Sequence, residues 1–135
     1  MTPNRFRVLL TVNAVLFAAG MLVDDIVPPG FSEALLAAYG DRFYWFDNHY
    51  WPSVVMFGLL IGIIVASYVG LYLFKRWGRS VALLASLASI ATYLVYGVTL
   101  TSGLQGALLE AGTLLFGANI ALAYYSQVSE RFDSQ

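Results

Sequence analysis

The chain of 135 residues is expected to be all-α, a transmembrane four-helix bundle running up-down-up-down with an interfacial helix in its first outer loop. Three observations predict it. Residues 50–74 carry no charge and are closed at once by Lys75, Arg76 and Arg79. Residues 80–129 hold a single charge, Glu110. Basic residues gather at the ends of the apolar runs rather than within them. Composition agrees, since 59% hydrophobic and 11% charged residues, with a mean hydropathy of +0.72, belong to polytopic membrane proteins and not to water-soluble domains. One domain is expected, covering residues 1–135.

The run 50–74 is the clearest span. At about 1.5 Å per residue it makes a helix of roughly 37 Å, longer than the ~30 Å hydrocarbon layer of a bilayer. A buried central helix of a soluble protein could be equally apolar, but so short a chain cannot build enough protein around it. Lys75, Arg76 and Arg79 mark its cytoplasmic end, because basic flanks stay on the side where the chain was made. Trp77 among them is placed as an interfacial aromatic. Gly58, Gly62, Ala66 and Gly70 recur at every fourth residue and lay a strip of small residues on one helix face. In lipid, where Leu is as well solvated by acyl chains as by protein, such a strip permits close helix packing. The partner is either a helix of this chain or a second copy.

The first span is expected over residues 6–24. Arg5 and Arg7 precede the uncharged run 8–23, a layout shared with signal peptides, but no small-x-small cleavage site follows, so an uncleaved helix is expected. Asn13 is its one strongly polar residue and should face another helix, because an amide in lipid needs a partner.

Residues 24–49 form the outer loop. It opens on Asp24 and Asp25, turns at Pro28, Pro29 and Gly30, and contains a short amphipathic helix over 31–39 that Gly40 ends. Phe43, Tyr44, Trp45, Phe46, Tyr50 and Trp51 read as an aromatic belt at the headgroup level, with Pro52 tolerated in the first turn of the next span. Five acids, Asp24, Asp25, Glu33, Asp41 and Asp47, against the lone cation Arg42 suit a solvated, non-cytoplasmic loop.

Residues 80–129 are too long for one crossing and must fold back. The weak helix formers Thr101, Ser102 and Gly103, flanked by Gly97 and Gly106, mark the break, which gives a third span over 80–100 and a fourth over 105–126. With four spans, Arg5, Arg7, Lys75, Arg76, Arg79 and Arg131 fall on one side and Arg42 on the other, so both termini are expected in the cytoplasm.

Chemistry must come from few residues. Glu110 shares a helix face with Gly106, Thr113, Gly117 and Ala121, a small and polar stripe expected to point into the bundle. It lies about 8 Å along the fourth span, near the level of Asp24 and Asp25. Glu110, Asp24 and Asp25 are therefore the candidates for an ion or proton pathway; a structural Glu110, protonated or paired with Arg42, is the plainer alternative. Asn13 and Asn119 are the buried polar candidates and could meet if the first and fourth spans are neighbours. Asn119 lies nine residues beyond Glu110 and so points to the opposite face, against one pathway through a monomer. In the third span the hydroxyls of Ser89, Tyr93 and Tyr96 share a face and read as interhelical glue.

His49 is the only histidine, which excludes a bis-histidine haem within one chain and leaves at most a weak metal site with Asp47 and Asp24 or Asp25. No metal or cofactor is expected. No catalytic triad spacing or phosphate-binding glycine loop is present, so no enzyme is expected. A net charge of −1 argues against nucleic acid, and the absence of cysteine removes disulfides and thiol chemistry.

At the helix ends, residues 70–79 (GLYLFKRWGR) and 121–132 (ALAYYSQVSERF) resemble a group of small four-span bacterial inner-membrane proteins of unknown function. The group commonly has proline at the position of Gln127, from which this chain departs. The resemblance implies an inner-membrane location and carries no activity with it.

The leading expectation is a small integral membrane protein that acts by helix-mediated binding within the bilayer, as a subunit of a larger assembly, a homo-oligomer or an immunity-type protein. Its partners would be lipid and another membrane protein or further copies of itself. The alternative is a proton- or cation-coupled transporter or channel that uses Glu110, and a membrane enzyme acting on a lipid or quinone comes third.

Overall fold

The structure, a computed structural model, describes residues 1–40, 49–96 and 100–134. Among the described residues it is all-helical: α1 (Pro3–Ile26), α2 (Glu33–Gly40), α3 (Tyr50–Tyr72), α4 (Arg76–Tyr96), α5 (Gly103–Tyr125) and α6 (Ser129–Asp133). The expected aromatic residues 43–46, Asp41, Arg42, Asp47 and Gly97 lie outside the described residues, as do the side chains of Tyr93 and Tyr96.

Local chemistry sets the helix boundaries. Thr2 caps α1 by accepting the Arg5 backbone N–H, and Pro3 follows at the first helical position, where its missing N–H costs nothing. Ser102 caps α5 in the same way through Gln105, so the break falls at the Thr101-Ser102-Gly103 stretch where weak helix formers place it. Ser32 accepts the Leu35 N–H at the start of α2. The basic stretch after α3 forms a tight turn and not a loop. Phe74 takes a left-handed backbone (φ 56°) and the Lys75 N–H returns to the Gly70 carbonyl, so α4 begins at Arg76.

The helices associate as two antiparallel pairs. In the first, α1 lies along α5, with Met1 beside Gln127 at one end and Asp24 beside Ser102 at the other. In the second, α3 and α4 fold back on each other at the turn, where Gly70 meets Gly78. The named contacts between the pairs gather in the half that carries both termini. There Phe6, Leu71, Phe74, Val128 and Phe132 form a closed apolar knot, with Phe132 edge-on to both Phe6 and Phe74.

Large apolar side chains cover the outer faces of the helices, and a few polar ones are turned inward beside the apolar core. Val8, Val15, Leu59, Leu87 and Leu114 are exposed, while Asn13, Ser67 and Asn119 are fully buried. Such a distribution is stable where the surroundings are hydrocarbon, since apolar side chains lose nothing by facing acyl chains and polar ones must turn inward. Helices α1, α3 and α5 are long and apolar enough to cross a membrane. The third expected span corresponds to α4, which starts on Arg76 and Arg79 and carries Ser86, Ser89 and Thr92. These three hydroxyls bond the carbonyls of Ala82, Ala85 and Ala88 in their own helix. The expected glue between helices is therefore not what Ser89 supplies, because a carbonyl one turn back is always within reach of a helical Ser or Thr.

Candidate functional site

The polar centre of the molecule is built on Asn13. Its Nδ2 donates to the Gly112 carbonyl at 2.5 Å and its Oδ1 accepts the Tyr68 hydroxyl at 2.5 Å, so one amide ties α1 to both α5 and α3. The arrangement depends on small residues where α1 and α5 meet. A methyl group at Gly112 would lie 3.3 Å from the Phe17 ring, and one on Gly20 of α1 would come within 2.8 Å of Leu109. Phe116 completes the surround, stacked on Tyr68 at 5.3 Å and edge-on to Phe17.

Asn119 does not join this network. It is fully buried, and neither its Oδ1 nor its Nδ2 has a partner among the described residues. Helices α1 and α5 are neighbours, as the expected Asn13–Asn119 meeting required, but the register separates the two amides. Asn13 reaches α5 at Gly112, seven residues before Asn119, or about 10 Å along the helix.

The acidic candidates divide. Asp24 accepts the Ser102 hydroxyl at 2.5 Å and the Ser102 backbone N–H at 3.3 Å. An acid in the last turn of α1 opposes that helix's own dipole, and here it sits instead on the positive N-terminus of α5. Asp25 is exposed. Glu110 is also exposed, together with Thr113, Gly117 and Ala121, and a methyl group on Gly117 would meet nothing within 4 Å. The stripe expected to line the bundle is thus the outward face of α5. The inward face went to Gly112, Phe116, Asn119 and Ala123, with Gly112 close against Phe17 and its carbonyl accepting from Asn13. The monomer does not bring Glu110 and Asn119 together.

The small-residue strip of α3 divides as well. Gly70 is filled from within the chain: an added methyl would lie 2.5 Å from Gly78 Cα and 2.7 Å from the Trp77 ring. Gly58 and Gly62 have nothing against them among the described residues, and Ala66, between Gly62 and Gly70, is half-buried. Three His, Asp or Glu side chains close enough to hold a metal ion do not occur among the described residues.

Protein families, curated proteins and solved structures give no match to this chain. Function must therefore be argued from its own residues. Tyr68 is the central residue that sequence reasoning missed. A tyrosine inside a span, rather than at its interfacial end, was the available signal, since a phenol at that depth needs an acceptor.

Proposed function

We propose that the protein acts by helix-mediated binding within the membrane, as a subunit of a larger assembly, a homo-oligomer or an immunity-type protein. The observation that carries this reading is the divided strip on α3: Gly70 is occupied by Gly78, whereas Gly58 and Gly62, in the same row, have nothing against them among the described residues. Small residues facing lipid gain nothing, and in contact with another helix they allow backbone approach. The outward Glu110 supports the same conclusion, since a carboxyl within a span is normally covered by protein. In this reading α4, about 31 Å long at 1.5 Å per residue, crosses as the third of four spans in an up-down-up-down bundle. Both termini lie in the cytoplasm of a bacterial cell with the protein in its inner membrane, a placement supported by the basic residues gathered at the end of the molecule that carries the termini.

The test is cross-linking and native mass spectrometry of Gly62→Leu beside the unaltered chain. Loss of a higher assembly with the monomer fold intact is expected; an assembly that survives the substitution would remove the reading.

Glu110 also favours a second reading, a proton- or cation-coupled transporter or channel formed between copies. Glu110→Gln in reconstituted vesicles would abolish a pH-dependent ion flux, and absence of any flux from the unaltered protein would dismiss it.

A further inference from the structure

At the end that carries the termini, the first turn of α1, the α3–α4 turn and α6 enclose an open cleft of about 610 Å³. Its lining includes Thr2, Asn4, Arg7, Phe74, Lys75 and Arg131, with no carboxylate among the described residues. We propose that this cleft binds a phosphate-bearing anion, and that the anion is the headgroup of an acidic phospholipid.

The cleft's cations have no ion pair among the described residues. Arg76 and Arg79, nearby in sequence, are engaged by the C-terminal segment: Arg76 donates to the Phe132 and Asp133 carbonyls, and Arg79 pairs with Asp133 at 2.5 Å. Arg7, Lys75 and Arg131 make no ion pair among the described residues. Arg7 is held in place for the role. Its Cζ lies 5.0 Å from the centre of the Tyr72 ring and 5.1 Å from that of Phe74, and its Nε donates to the Tyr72 carbonyl at 3.2 Å. That leaves its two terminal nitrogens without a partner among the described residues, a fork suited to two phosphate oxygens.

Lys75 and Arg131 are brought to the same cleft by the left-handed turn at Phe74 and by the docking of Phe132, so apolar contacts hold three like charges together. An anion relieves their repulsion. Thr2 and Asn4 add polar groups at the positive N-terminus of a helix of 24 residues. A lipid source is favoured over a soluble phosphate because the cleft opens where α1 and α3, two helices fit to cross a bilayer, come to their ends. The inference stands independently of any interface on α3.

Native mass spectrometry of the full chain in neutral detergent, titrated with phosphatidylglycerol, with phosphatidylcholine of the same acyl chains, or with glycerol 3-phosphate, tests it. Preferential retention of phosphatidylglycerol is expected, weakened about tenfold or more in the Lys75→Gln/Arg131→Gln double variant. The double variant leaves the Arg7–Tyr72 contact in place and so separates binding from folding. Arg5→Gln, which removes an equal charge outside the cleft, should match the unaltered chain. Equal binding of both lipids, no change in the double variant, or Lys75→Gln alone weakening binding no more than Arg5→Gln would overturn the site. Saturable glycerol 3-phosphate binding without lipid preference would overturn the lipid source and give the cleft to a soluble phosphate ester.

Discussion

Gly70 and Gly78 meet across the α3–α4 turn so closely that a methyl group on Gly78 would lie 2.4 Å from the Gly70 carbonyl carbon. The obstruction is backbone and cannot rotate away. This contact, with Phe74 in the left-handed region between them, is what turns the chain back on itself and sets Lys75 facing the cleft.

Gly78→Ala should therefore destabilise the hairpin by about 1–3 kcal/mol, the usual cost of overpacking. Thermal unfolding in detergent would show it as a lowered midpoint. Gly62→Ala, with nothing against it among the described residues, should leave the monomer's midpoint unchanged, and equal losses in the two variants would contradict the close Gly70–Gly78 contact.

Two buried asparagines should respond in opposite ways. Asn13→Leu strands the Tyr68 hydroxyl and the Gly112 carbonyl, with an expected loss of about 1–3 kcal/mol. Asn119→Leu removes an amide that has no partner among the described residues, so it should be neutral or stabilising. Unfolding curves of the two variants and the unaltered chain make the comparison, and a costly Asn119→Leu would mean that this amide is bonded in the assembled protein.

Ser102 performs two tasks, capping α5 through the Gln105 N–H and donating its hydroxyl to Asp24. Ser102→Ala should cost about 0.5–2 kcal/mol, the range for a lost N-cap. Asp24→Asn keeps the cap and should cost less. Hydrogen exchange at the start of α5 would report both, with faster exchange in Ser102→Ala.

Phe132 closes the apolar knot from α6, fully buried against Phe6 and Phe74. Phe132→Ala should cost about 3–5 kcal/mol and release the C-terminal segment, seen as faster tryptic cleavage after Arg131. Asp133→Asn breaks an ion pair whose acid is 60% exposed, so its effect should stay below about 1 kcal/mol. A larger effect from Asp133→Asn than from Phe132→Ala would show that charge, not packing, docks α6.

What could be read from the chain beforehand was whatever depends on neighbours in sequence. Uncharged length marked the runs that became α1 and α3, the single charge in residues 80–129 marked a stretch that must fold back, and Thr101-Ser102-Gly103 marked the break between α4 and α5. Periodicity also showed that α3 and α5 each carry a stripe of small residues. It could not say which side of α5 faces inward, because Gly106, Glu110, Thr113 and Gly117 on one face and Gly112, Asn119 and Ala123 on the other are both small and polar enough to be packed. That choice was made by the fit of Gly112 against Phe17 and by the Asn13 amide, contacts between residues about a hundred positions apart. Tertiary structure likewise decided that Gly70 is consumed by Gly78 while Gly58 and Gly62 stay open, and that Arg7, Lys75 and Arg131 share one cleft while Arg76 and Arg79 are spent on Asp133. The physical reason is the same in each case: solvent preference acts on a helix one residue at a time, whereas close packing and hydrogen-bond partnership exist only between elements already brought together.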